Sequence, residues 1–263
     1  KEGPDGHSRG GYARLKTLID EQKEEHPNAL VLDGGDFSMG SLFQTAYSTS
    51  ALELRAMGQM GYDVTTFGNH EFDYRASGLA DMLYAAVDSG DPLPAIVDAN
   101  YLPPQEDEET WDALYTYGVQ DYRILERGGV PYVIFGITGV DSDECAPMSG
   151  MELHDPVETA KRVVKEATEQ CQTAYGEDPV VICLSHSGTE KGKGEDYELA
   201  QKVDGIDVII SGHTHTTLEQ PIEVNDTYIV SAGENSKNLG VLTLTRTQDG
   251  VELKDSRLVP VTE

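Results

Sequence analysis

Cysteine, basic side chains and long apolar runs are all scarce in this 263-residue chain, and each scarcity closes off a class of protein. Three cysteines, Cys145, Cys171 and Cys183, with no CxxC pair among them, do not make a disulfide framework. Cys183 lies inside the apolar run "PVVICLSH" and reads as a buried strand residue, while a bridge between Cys145 and Cys171 stays open. Lys and Arg number 19 against 47 Asp and Glu, a formal net charge of −28, so the surface repels polyanions. Nucleic acid and anionic membrane are therefore poor partners, whereas a small anionic substrate is admissible if bound metal reverses the local sign. No apolar run reaches the roughly 18 residues needed to span a bilayer. The opening Lys1-Glu2-Gly3-Pro4 has no signal-peptide character, so any export signal is expected upstream.

What remains is an ordinary apolar content, enough for one large packed α/β domain, arranged in alternating periodicities. Leu15, Leu18 and Ile19 share a helical face ended by His26-Pro27-Asn28. "ALVLDGGD" reads as a strand, followed by a helix over residues 50–60, a strand before Asn69, a helix over 76–87 and the strand "PAIVDAN". "YRILERGGVPYVIFGITG" predicts two strands joined at Gly128-Gly129, and a long helix is expected over 155–175. The strands "VVICLSH" and "IDVIISGHTH" follow, with a helix over 195–203 between them. Beyond Leu218 the chain turns β-rich, alternating like hairpin strands. Residues 102–112, "LPPQEDEETWD", read as a solvated acidic excursion, and no internal repeat is present. Alternating helices and strands with a β-rich end predict two sheets packed face to face with helices outside.

Four strands end in polar clusters: "LDGGD" at Asp36, "FGNHEFD" at Asn69, "CLSHSG" at His186 and "ISGHTHT" at His213 and His215. Ligand sites of α/β sheets gather outside the carboxyl ends of strands, so clusters at four such ends can converge. Aspartate, asparagine and histidine are ligands suited to zinc, manganese or iron. Singly, each has a plainer reading: Asp36 as a turn or cap residue, His186 as a satisfied core histidine, and the HxH pair as a moderate chelation signal only.

In this order, "GGD", "GNHEFD", the isolated "SH" and "GHTH" resemble the motifs of the calcineurin-like metallophosphoesterases. "GGYARL", "FSMGS" and "SAGENSKNLG" make the chain most similar to the 5′-nucleotidase branch, over essentially its whole length. The resemblance implies a four-layer αββα sandwich of two mixed β-sheets with helices outside, and a dinuclear centre of divalent metal. It further implies that Asp36 bridges two metals, that Asn69, His186 and His213 complete one of them, and that His215 binds the other. His70 and Asp73 resemble the family's catalytic dyad, and Glu71 is left as structural because its side chain should face away from its neighbour's. Two such ions can hold a hydroxide and stabilise charge as it attacks phosphorus, while His70, oriented by Asp73, protonates the leaving oxygen. The expected function is hydrolysis of a small phosphorylated substrate, a nucleotide, of the 5′-nucleotidase or 2′,3′-cyclic phosphodiesterase type, in an extracytoplasmic location. The alternatives are a hydrolase of nucleotide sugars or sulfur esters on the same centre, or a binding module that keeps one metal without turnover.

Two departures bear on these expectations. The family begins with a strand ending in Asp-x-His, which supplies further ligands of the first metal; here only Asp5-Gly6-His7 has that spacing, and "KEGP" before it is no strand. The family's first strand is therefore expected upstream and the first metal site is expected to be depleted, with Asp5 and His7 as candidate substitutes. At the other end the chain stops at Glu263, where the branch continues into a nucleotide-binding domain. Residues 1–263 are accordingly read as a single catalytic domain.

Overall fold

The computed structural model of the chain describes residues 10–247 and 250–262. Asp5 and His7 lie outside these described residues. The first helix, α1 (Tyr12–Glu25), buries Leu15 and Ile19, four positions apart on one face. The helix expected over 50–60 is α3 (Leu52–Met60), and a separate short helix, α2 (Tyr47–Ser50), ends before it because Ala51 takes a left-handed conformation at φ 46°. Strand β1 (Val64–Thr65) pairs in parallel with β2 (Ala95–Ile96), with α4 (Arg75–Ser89) between them. "ALVLDGGD" forms a single ladder bridge, Leu32 to Val64, rather than a full strand. The Asp33 carboxylate supplies the reason: it accepts from Gly35 N and Thr65 Oγ1 at 3.0 and 2.9 Å and so bends the chain into a turn.

The segment at 102–112 is also corrected by the structure. Strand β3 (Tyr101–Leu102) pairs with β6 (Glu152–Leu153), and Asp107 caps α5 (Glu108–Tyr117) by accepting from Thr110 N at 3.1 Å. The acids read as a solvated loop are in part a helix start, where carboxylates meet unpaired N–H groups.

The main sheet has six strands, running β4 (Tyr122–Arg127), β5 (Val130–Thr138), β7 (Val180–His186), β8 (Val208–Ser211), β10 (Thr227–Val230) and β9 (Ile222–Val224). Its four central strands are parallel and its two edges antiparallel. Every residue of β7 is buried, as a central parallel strand covered on both faces requires. Val181 and Cys183 point toward α7 (Pro156–Tyr175) and α8 (Glu195–Lys202), while Ile182 and Leu184 point the other way. That second face packs on Val64, Val97 and the hairpin of β11 (Asn238–Arg246) and β12 (Val251–Pro260) through Leu242, Leu244 and Val251. A third apolar layer joins α1, α3, α4 and α5 beneath Phe67 and Ile96. Three cores between four layers give the αββα sandwich. The short α6 (Val140–Cys145) follows β5.

Cys145 and Cys171 are both free thiols, the first exposed on α6 and the second buried on α7, so the bridge left open above does not form. Cys183 is a buried strand residue as expected. Among the described residues no helix is long and apolar enough to cross a membrane.

Candidate metal centre

Parallel pairing sets the ends of β5, β7 and β8 side by side: Thr138 lies opposite His186, and Ser185 opposite Ser211. His186 and the Gly212-His213 turn therefore leave the sheet at one edge, where the loops after Leu32 and β1 bring Asp36 and Asn69. Two glycines permit the approach. A Cβ on Gly68 would meet Asp36 Oδ1 at 2.3 Å and His186 Cε1 at 2.6 Å, and one on Gly212 would meet Gly34 O at 2.5 Å and His186 Nδ1 at 2.7 Å. Asp36, His213 and His215 hold left-handed backbone, at φ 59°, 71° and 55°, which costs a non-glycine residue free energy and concentrates at functional loops.

The two histidine rings share one arrangement. His186 Nδ1 lies 2.7 Å from Gly34 O, an acceptor, so this nitrogen carries the proton and donates it. Its other nitrogen, Nε2, is buried 3.0 Å from Asp36 Oδ2. His213 Nε2 lies 2.8 Å from Asp141 Oδ2, and His213 Nδ1 lies 3.0 Å from Asn69 Oδ1. Each ring is tethered through one nitrogen to an oxygen that accepts its proton, and each turns its remaining lone pair toward an oxygen that can only accept. Two acceptors facing each other repel unless a cation lies with them, so the donor set fits a divalent ion. Electrostatics agree. Burial alone would raise Asp36 and lower His186, yet their mutual attraction reverses both, leaving Asp36 low and His186 high. The pair favours a positive charge, which in the metal-free protein is a proton. Ligand atoms of Asp36, His186 and His213 all lie within 4.8 Å of one another.

His70 belongs to a 3-10 turn, Asn69–Phe72, and its Nδ1 lies 3.1 Å from both carboxylate oxygens of Asp73, which Gln44 Nε2 holds at 2.7 Å. His70 N also donates to Asp36 Oδ1 at 2.9 Å, tying this pair to the histidine cluster. His215 stands apart: it is 60% exposed, with Nδ1 3.3 Å from Glu234 Oε2.

Three acids beyond the expected set shape the centre. Glu71 turns into the protein, where its carboxylate accepts from Gly68 N, Asp36 N and Ser38 N at 2.6, 2.9 and 3.0 Å. It thereby staples the Asp36 loop to the Asn69 loop, and burial with the nearby Asp36 charge pushes it up to about 7. Replacement by alanine strands three N–H groups at about 1–3 kcal/mol each, so Glu71→Ala should lose at least about 3 kcal/mol in denaturant unfolding. A loss below about 1 kcal/mol would deny it the staple role. The second acid, Asp141, follows the end of β5 and tethers His213. A fifth polar strand end, "GITGVDSDE", was the sequence signal for it.

The third is Asp196, buried on α8 facing Ser185 and Ser211, the residues immediately before His186 and Gly212. Burial pushes its carboxyl up to about 7, against the two hydroxyls that lower it. The folded protein therefore binds the extra proton from about pH 4 to about pH 7, and stability present below that window is lost as pH rises through it. Metal-free protein should accordingly melt at a lower temperature near pH 8 than near pH 5.5, and Asp196→Asn should flatten that slope. An unchanged slope in the variant would show that Asp196 ionises without cost.

The profile of the family described as calcineurin-like phosphoesterase matches residues 5–217. The chain is 32% identical over 266 residues to the trifunctional nucleotide phosphoesterase protein YfkN of Bacillus subtilis (strain 168), covering 92% of this chain and 18% of that protein. It is 31% identical over 263 residues to the probable 5′-nucleotidase of Treponema pallidum (strain Nichols), covering 92% of this chain and 40% of that protein. Among solved structures it superposes on a 5′-nucleotidase precursor from Thermus thermophilus with a TM-score of 0.78 and 28% identity, over 97% of this chain and 50% of that one. The chain thus spans less than half the length of these curated relatives. With its two-sheet sandwich and the histidine, aspartate and asparagine cluster at the strand ends, the chain belongs to the calcineurin-like phosphoesterase family, in the branch that holds the 5′-nucleotidases.

Proposed function

We propose that this domain hydrolyses a phosphate ester of a nucleotide, as a 5′-nucleotidase or a 2′,3′-cyclic-nucleotide phosphodiesterase, at a centre of divalent zinc, manganese or iron. The carrying observation is the paired geometry of His186 Nε2 with Asp36 Oδ2 and of His213 Nδ1 with Asn69 Oδ1, each ring already tethered at its other nitrogen. Asp36, Asn69, His186 and His213 would hold one ion, and Asp36 with His215 would contribute to a second. When bound, such ions supply Lewis-acid polarisation of a phosphoryl oxygen and a nucleophile at neutral pH.

The chain's own residues do the rest. Asp73 fixes the His70 ring by its Nδ1, which leaves His70 Nε2 to hold a proton for the departing alkoxide. Glu71 keeps Asp36 and His70 in register by binding both of their loops. A surface of net charge −28 does not attract a phosphate by itself, so the ions also supply the local positive field that admits it.

The test is phosphate release from nucleoside 5′-monophosphates and from 2′,3′-cyclic nucleotides, with a nucleotide sugar and a sulfur ester in the same panel, after chelation and after adding manganese or zinc. Restoration by metal on the nucleotide esters is expected. Metal uptake without turnover of any substrate would leave a binding module instead.

A further inference from the structure

His213 belongs to two groups of ligand atoms at once. Those of Asp141, Cys145 and His213 all lie within 4.8 Å of one another, just as those of Asp36, His186 and His213 do. Asp141 and Cys145 are four residues apart on α6, the spacing that places two side chains on one helical face, and that face meets the loop after β8. The inner group is buried at His186, whereas the outer one opens to solvent: Asp141 is 65% exposed and Cys145 is exposed. We propose that Asp141, Cys145 and His213 Nε2 form a second, outer site for a thiophilic divalent ion such as zinc or cadmium, whose occupation withdraws His213 from the inner centre. The inference rests on the reading of His213 as an inner ligand.

Thiolate, imidazole and carboxylate are a zinc donor set, and three protein ligands leave a position for water. The thiolate selects soft ions over manganese and magnesium. On binding, the Cys145 thiol gives its proton to solvent, Asp141 contributes a carboxylate, and the His213 ring exchanges its proton from Nε2 to Nδ1 through water. The relocated proton has an acceptor in place, because Asn69 Oδ1 is 3.0 Å from Nδ1. A neutral imidazole has one lone-pair nitrogen, so the two uses of the ring exclude each other. With Nε2–H donated to Asp141, Nδ1 serves the inner group together with the Asn69 oxygen. With Nε2 on an outer ion, Nδ1 carries the proton toward the Asn69 oxygen, so the His213 nitrogen is lost to the inner group and one of the two Asn69 Oδ1 lone pairs is engaged. Coupling of this kind is reciprocal, so inner metal also weakens the outer site.

The experiment adds cadmium to the full 263-residue chain loaded with manganese, recording the ultraviolet thiolate-to-cadmium absorption and, by electron paramagnetic resonance, the manganese set free. One thiolate band per chain is expected, rising together with manganese release. Cys145→Ser should abolish the band and raise the cadmium needed for release by at least the roughly 10–100-fold that loss of an outer-shell partner costs. Absence of the band in the parent chain, its survival in Cys145→Ser, or manganese release at the same cadmium concentration in both would each overturn the proposal. Neither readout uses turnover, so failure of the phosphoesterase assay leaves this test standing, and the reverse holds equally.

Discussion

Substituting His186 by alanine should empty the inner group of metal and take phosphate release with it. The side chain is wholly buried, reaches Gly34 O with one nitrogen and faces Asp36 with the other, so no neighbour can replace it. Loss of a direct ligand must exceed the roughly 10–100-fold in affinity that an outer-shell partner is worth. Metal content after gel filtration should therefore fall to background at micromolar free manganese, while far-ultraviolet circular dichroism stays that of the parent chain. Retention of stoichiometric metal by a folded His186→Ala protein would remove this residue from the centre and favour its reading as a satisfied core histidine.

His70→Ala should behave differently, with kcat lower by roughly 10² to 10⁴ and metal content nearly unchanged. Its ring contacts Asp73 rather than the histidine cluster, and only its backbone N–H touches Asp36. The loss should shrink for an ester whose alcohol leaves readily as an anion, since such a group needs no proton. Asp73→Asn keeps the shape but removes the charge that orients and supports the imidazolium, and should fall between the parent and His70→Ala. Equal metal loss in the His70 and His186 variants would show that His70 is a ligand, and an equal loss of kcat on good and poor leaving groups would deny it the proton-transfer role.

Much of this was legible in the sequence because it is governed by local periodicity. The apolar spacings of α1, α4 and α7, the glycine pair between β4 and β5 and the unbroken apolar run of β7 each announce their element. The features that escaped depend on side chains competing for backbone groups or on contacts made across the fold. Asp33 turns an apparent strand into a bend by capturing Gly35 N, and Asp107 turns an apparent loop into a helix start. Asp196 looks like one more surface acid of a polar helix until α8 packs it behind Ser185 and Ser211. Glu71 reads as a structural residue, but that its carboxylate meets three loop N–H groups follows only from how the loops meet. At the centre, the ordered motifs marked the strand ends, whereas the pairing of each ring nitrogen with its own oxygen is a property of three dimensions.

The central claim is that Asp36, Asn69, His186 and His213 hold a divalent ion more tightly than Asp36 with His215. Anomalous scattering from crystals of this chain equilibrated with manganese, collected on both sides of the manganese edge, tests it most directly. A strong peak is expected among Asp36, Asn69, His186 and His213, and a weaker one or none beside His215. A peak beside His215 alone would contradict it.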